Sequence, residues 1–209
     1  MYIPALFKET DHAKITEFLK SNAFGLLITQ HDGKPLATHL PLEYLEKDGK
    51  AYLHGHLAKR NVQWESFDQQ GEVLAVFNGP HSYVSASWYS IEEVSTWNYV
   101  AVHIYGKLRT MDQEELMPML EGLMAKYEAD VDEPIDMSKL SKKTLNQVYG
   151  IVGFEIEITD IQAKYKMSQN RSEKDYENII DQLEDDRGTQ SAETAKLMRV
   201  FKPDLDGNT

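Results

Sequence analysis

Apolar positions along the first eighty residues change period several times, and each change predicts an element. From His12 to Ser21, Ile15, Phe18 and Leu19 recur at helical spacing, and Asp11 stands where a side-chain cap belongs. Phe24 to Thr29 then reads as a strand. His31-Asp32-Gly33 turns it into a second strand, Pro35 to Leu45, and Lys47-Asp48-Gly49-Lys50 turns the chain again into Ala51 to Leu57. Two Asp-Gly turns between apolar runs predict an antiparallel meander, so the fold class is mainly β with helices (α+β), a barrel or sandwich and not a parallel sheet. A short helix is expected from Asn61 to Phe67. Glu72 to Phe77 is apolar on both faces, as a central strand should be.

The strand from Trp97 to Arg109 has no face that prefers water. Val100, Val102, Ile104 and Leu108 alternate with Trp97, Tyr99, His103 and Tyr105, so one side fills a core and the other needs a flat ligand or a second subunit. Val152, Phe154, Ile156 and Ile158 alternate with Glu155, Glu157 and Asp160, which predicts a strand with one wet face. Between them, Leu116, Leu120, Leu123 and Tyr127 recur at helical spacing from Asp112 to Glu128, with Pro118 in the early turns. A short helix is expected near Ser138 to Val148. From Arg171 onward the chain is charged and helical, and Phe201 to Thr209 reads as a loose end.

Charge and composition remove several classes of function. A net charge of −12, from 34 acidic and 22 basic residues, repels a phosphate backbone. Lys59-Arg60, Lys139 to Lys143, and Lys164 with Lys166 are the local exceptions, each of which suits a solvated face as well as a binding site. With no cysteine, disulfides, thiolate metal sites and a cysteine nucleophile are excluded. The start Met1-Tyr2-Ile3-Pro4 lacks the pattern of a signal peptide and no run is long enough to span a bilayer, so a cytoplasmic location and no membrane partner are expected. A chain of 209 residues suits one large domain or a domain with an appendage.

The candidate chemistry is concentrated in Gly79-Pro80-His81-Ser82-Tyr83-Val84-Ser85-Ala86-Ser87-Trp88-Tyr89 and in Thr96-Trp97-Asn98-Tyr99. Read as a loop, the first run carries stacking rings and hydroxyl donors that solubility does not require, and these suit the face and rim of a flat ligand. His81, Tyr83 and Tyr89 are the candidate general acids. His54 and His56 share a strand face, which with His39 or His103 is a weak metal pattern because no matching carboxylates accompany it. Glycine-rich phosphate loops, nucleophile elbows and paired-histidine metalloprotease motifs are absent.

Five ordered motifs carry a resemblance: Met1-Tyr2-Ile3-Pro4 with Phe7, His56 to Asn61 with Trp64, Gly79 to Tyr89, Thr96 to His103 with Gly106, and Lys166-Met167-Ser168-Gln169-Asn170-Arg171. The chain resembles the PaiB family of FMN-binding split-barrel proteins. It departs from the family pattern at Val62, Ala86 and Ser95, where proline is usual, and at Lys59, where arginine is usual. The resemblance implies a split β-barrel of the pyridoxamine-phosphate-oxidase-like kind with peripheral helices, spanning residues 1–170 and followed by a helical extension over 171–209. It further implies a homodimer holding FMN between subunits. Lys59, Arg60 and Asn61 would then meet the phosphate at a helix start. His56, His81, Ser82, Tyr83, Ser85, Ser87, Trp88, Trp97 and Asn98 would line the ring or ribityl chain, and Ser168, Gln169, Asn170 and Arg171 would reach the same cleft or serve as a helix cap. The function implied is negative transcriptional regulation of protease production and sporulation genes, although no helix-turn-helix or basic face is present for DNA. The alternatives are an FMN-dependent oxidoreductase of flavin reductase type and, behind it, a haem-binding split barrel.

Overall fold

In this computed structural model, which describes residues 1–186 and 188–202, the strands dominate as the apolar alternation requires. They are β1 (Lys8–Glu9), β2 (Phe24–His31), β3 (Lys34–Pro41), β4 (Glu43–Lys47), β5 (Lys50–Ala58), β6 (Val73–Val84), β7 (Thr96–Thr110) and β8 (Ile151–Lys166). Helices α1 (His12–Ser21), α2 (Gln113–Tyr127), α3 (Lys142–Leu145), α4 (Glu173–Asp185) and α5 (Thr189–Val200) are interspersed. The hydrogen-bonded order is β3-β2-β6-β7-β8-β5-β4, with β1 beside β8, a path that does not close on itself. All the registered pairs, β1/β8, β2/β3, β2/β6, β4/β5 and β5/β8, are antiparallel. The mainly antiparallel reading therefore stands, with β6 inside the sheet.

Local chemistry accounts for the boundaries. Asp32 and Gly33 take φ of 50° and 73°, and Asp48 and Gly49 take 52° and 75°, the left-handed pair that a two-residue hairpin turn requires. Asp11 accepts the amide of Ala13 at 2.9 Å and starts α1. Asp112 and Glu115 close a reciprocal capping box at the start of α2, and Pro118 is accommodated inside that helix. The apolar stripe of α2 is less covered than its spacing suggests: Leu116 is its buried residue, and Tyr127 is exposed.

Two compact units share the chain. The first takes residues 1–18, 77–103 and 162–209, and the second takes 19–76 and 104–161. The second is filled by Leu27, Leu42, Leu53, Phe67, Phe154 and Ile156, with the rings of Phe67 and Phe154 edge-to-face at 5.5 Å. Within the described residues of the first unit, Phe77, Val100, Tyr165 and Met167 are buried, as are Tyr176, Ile179 and Leu183 of α4 and Ala195 and Met198 of α5. Asn98 at full burial accepts a hydrogen bond from Ser168 at 3.0 Å and donates to the Met198 sulfur at 3.3 Å. Phe201, expected in a loose end, lies 5.1 Å from the Tyr165 ring with the Lys14 ammonium over it. Residues 203–209 of that expected tail lie outside the described residues.

Candidate functional site

The aromatic run that the sequence singles out is not a loop for its first half. Gly79 to Val84 continues β6, and only Ser85 to Trp88 leaves it as a single 3-10 turn capped by the Ser85 hydroxyl on the Ser87 amide. Glycine and proline signalled a turn, but Gly79 has another cause: a Cβ there would lie 2.7 Å from the Phe18 ring. Because the run is a strand, its residues alternate. Ser82 and Val84 are buried, whereas His81 and Tyr83 are exposed on the opposite face.

That exposed face is where the first unit gathers its chemistry. The Trp97 indole on β7, 51% exposed, is met edge-to-face by Tyr83 at 5.9 Å, and the His81 ring lies 6.3 Å away at a tilt. Lys166 on β8 donates to the Trp97 carbonyl at 2.7 Å and to the Thr96 hydroxyl at 2.5 Å, with its ammonium 5.9 Å from the Phe7 ring. Lys164, two residues earlier and thus on the same face of β8, lies 5.2 Å from the Tyr99 ring and 5.8 Å from that of Tyr2. Burial lowers the Lys166 pKa, and the nearby charges of Lys164 and Arg171 lower it further. A solvated face was one reading of these lysines, but Lys164 is 8% exposed. An exposed indole flanked by rings and by an ammonium group bonded to neutral acceptors fits a flat, anionic ring system such as FMN.

The remaining predicted residues divide clearly. In the first unit, Ser82 donates to Thr194, and Ser168 donates to Asn98, all four buried. Gln169 is spent on its own segment, accepting from the Met167 amide and donating to the Tyr165 carbonyl. Arg171 pairs with Glu93 at 3.0 Å and stacks its guanidinium 4.3 Å over the Tyr89 ring, which braces the segment after β6. The Trp88 carbonyl accepts from Asn178, Ser85 and Ser87 bond each other, and Asn170 is exposed.

His56, Lys59, Arg60 and Asn61 belong to the second unit. Lys59 and Arg60 are exposed, but the backbone amides of Lys59 and Asn61 already bond Gly150 and Ala58, and Asn61 Oδ1 caps Gln63. Charge, more than a ring of amides, is what this corner presents. Across the β5/β8 register, His54 meets Glu155 at 2.8 Å, a carboxylate the sequence reading did not pair with it. Glu155 also holds Arg109, whose guanidinium grips Glu115 and keeps that carboxyl down at about 2.

Two clefts of about 620 and 650 Å³ lie in the second unit. Asp32, Glu65 and Glu72 line the first with no lysine or arginine, which disfavours an anion. The second contains the His54-Glu155-Arg109-Glu115 network, in which one guanidinium is shared between two carboxylates.

Burial lowers the pKa of His56 below its ordinary 6.5, and burial with the Met1 ammonium does the same for His103. Below pH 6.5 the unfolded chain then binds more protons than the folded one, so stability present above that pH is lost as acid is added. Urea unfolding from pH 7 to 5 should show this decline. Because His56 keeps partial exposure, His56→Asn should flatten it by well under about 1.4 kcal/mol per pH unit, and an unchanged slope would exclude His56 as a contributor.

Residues 1–160 match the family described as "Putative FMN-binding domain". The chain is 48% identical over 199 residues to the protease synthase and sporulation protein PAI 2 of Bacillus subtilis strain 168, covering 95% of this chain and 96% of that protein. Among solved structures, the FAD and heme binding protein of Mycobacterium smegmatis superposes with a TM-score of 0.56 at 12% identity, over 76% of this chain and 73% of the other. The flavocytochrome Anf3 of Azotobacter vinelandii gives 0.54 at 12%, over 82% and 75%. These two likenesses concern the fold alone, a mainly antiparallel split barrel with its sheet left open. With the family model covering three quarters of its length and a relative sharing nearly half its residues end to end, the chain belongs to the PaiB family of FMN-binding proteins.

Proposed function

We propose that this protein binds FMN as a homodimer and acts as a negative regulator of protease and sporulation genes. The observation that carries the flavin reading is the exposed Trp97 indole with Tyr83, His81 and Lys166 around it. FMN, when bound, supplies hydride and single-electron chemistry. The protein's part is to stack the ring, offset its negative charge and exclude water. Tyr2, Leu6, Tyr83 and Trp97 leave apolar surface open in the first unit, and a second copy would cover such a patch.

The regulatory part rests on the named Bacillus subtilis relative and has less support from the residues. Lys142 and Lys143 are exposed on the four-residue α3, and Lys139 is spent on Asp136 at 3.1 Å. In a chain of net charge −12, so small a basic corner favours indirect regulation, through flavin chemistry or a protein partner, over direct DNA binding. Exposed, titratable His81 and Tyr83 beside Trp97 also favour a second reading, an FMN-dependent oxidoreductase.

One preparation tests these readings. Its absorption spectrum should show flavin bands and its sedimentation a dimer. A Soret band would replace FMN by haem, and a 24 kDa species alone would sink the dimer. A gel shift with promoter fragments near physiological salt should show at most weak, salt-sensitive binding; tight, sequence-selective binding would overturn the indirect account. Bleaching of the flavin by NADH or NADPH would select the oxidoreductase.

A further inference from the structure

We propose that Lys164 and Lys166 form an anion-binding pair that takes the acidic group, phosphate or carboxylate, of a flat aromatic ligand lying against Trp97. The inference rests on the flavin reading for the ring, but the pair is argued from its own surroundings.

Elsewhere in this acidic chain, lysines that order their ammonium groups do so on carboxylates: Lys50 on Glu157, Lys126 on Glu43, Lys202 on Glu173 and Glu177. Lys164 and Lys166 depart from that rule while being more enclosed than these. Lys164 is 8% exposed, and among the described residues its ammonium makes one hydrogen bond, a long one of 3.4 Å to the Tyr2 carbonyl. Lys166 bonds a hydroxyl and a carbonyl. Among the described residues neither pairs with a carboxylate. Glu9 accepts the amides of Thr10 and Asp11 and pairs with Lys14, and Glu93 is held by Arg171.

Neutral acceptors and ring faces offset only part of the cost of burying an ammonium group. The two residues share one strand face, their Cα atoms about 6.6 Å apart by strand geometry, and their ammonium groups repel each other. A single acidic group shared between them would relieve both penalties. Because Lys166 is tied to the carbonyl of Trp97 itself, an anion on the pair lies beside the indole. That adjacency selects a ligand carrying an aromatic ring and an acid together. Two sources have this chemistry: the phosphate of FMN, and the carboxylate of a separate aromatic acid.

Calorimetric titration at low salt with FMN, riboflavin, benzoate and inorganic phosphate separates them, using the wild type, Lys166→Met, Lys166→Arg and the double variant Lys59→Glu/Arg60→Glu. If the cofactor phosphate is the occupant, Lys166→Met weakens FMN about tenfold, leaves riboflavin unchanged, and Lys166→Arg recovers most of the loss. If an aromatic acid is the occupant, FMN is unchanged and benzoate weakens by a similar factor. Lys166→Met binding FMN, benzoate and phosphate as the wild type does would overturn the proposal, most plainly if the double variant loses FMN instead. Riboflavin that fails to bind the wild type would sink the flavin reading alone, since the benzoate and phosphate titrations still judge the pair. If Lys166→Met does not fold, NMR of wild-type protein with 13C-labelled lysine decides: the Lys166 pKa should rise on saturation with FMN or benzoate, and an unmoved value would overturn the pair.

Discussion

Trp97→Ala is expected to raise the dissociation constant for FMN about thirtyfold, with riboflavin affected to the same extent. Stacking of a flat heterocycle on an aromatic side chain contributes roughly 1–3 kcal/mol, and each 1.4 kcal/mol is about tenfold in affinity. The indole is half exposed and supported by Tyr83 at its edge, so truncation should remove a platform without opening a core cavity. Thermal stability should therefore change little. Flavin fluorescence titration measures the effect, and equal affinities in a folded variant would move the ring away from this face. Trp97→Phe should recover part of the loss by restoring a ring, which a purely structural role for the indole would not require.

Gly106→Ala should lower stability by about 3 kcal/mol, near the upper end for overpacking. A methyl group there would lie 2.4 Å from Cγ2 of Ile156 and 2.5 Å from the carbonyl oxygen of Glu157. The first neighbour is a fully buried side chain and the second is backbone in β8, so neither yields easily. No left-handed torsion is involved at Gly106; the constraint is the close approach itself. For a chain of this size the loss corresponds to about 10 °C in melting temperature. Differential scanning calorimetry checks it, and a change below about 3 °C would show that β8 can move aside. The same contact gives a physical reason for one glycine of the motifs that carry the family resemblance.

Much of the fold was legible because its signals are local. The Asp32-Gly33 and Asp48-Gly49 turns declare themselves through two residues that tolerate positive φ, and the Asp112 to Glu128 helix through Leu116, Leu120, Leu123 and Tyr127 at helical spacing. Signals with two meanings misled. Gly79 and Pro80 read as a loop, yet the chain stays in β6 because Gly79 answers to Phe18 packing on it. Apolar spacing in α2 showed a stripe but not how little of it would be covered.

For the candidate site, residue types were legible and partners were not. Trp97, Tyr83 and His81 were selected as unusual, and the structure sets the Tyr83 and His81 rings 5.9 and 6.3 Å from the Trp97 indole. Burial of Lys164 and Lys166 depends on Tyr2, Phe7 and Tyr99, which approach from distant parts of the chain, so a local charge pattern could not reveal it. The one available hint was period two: both lysines fall on the same face of a strand. His54 and Glu155 escaped for the same reason, being opposite each other only through the β5/β8 register.

The division of the chain between its two units also sets an order of events during synthesis. Residues 19–76 and 104–161 are all available once residue 161 has been made, whereas the first unit takes residues from either side of them. Lys8 and Glu9 find their strand partners only at Lys164 and Ala163, so the amino terminus emerges early and must wait. A polypeptide stopped at residue 160, where the family match ends, would contain Trp97 but neither lysine beside it, nor the Ser168 that bonds Asn98. If the proposed flavin site is the right one, capture on this face has to wait until residues 164–168 have been made, and shorter nascent chains would not compete for the ligand there.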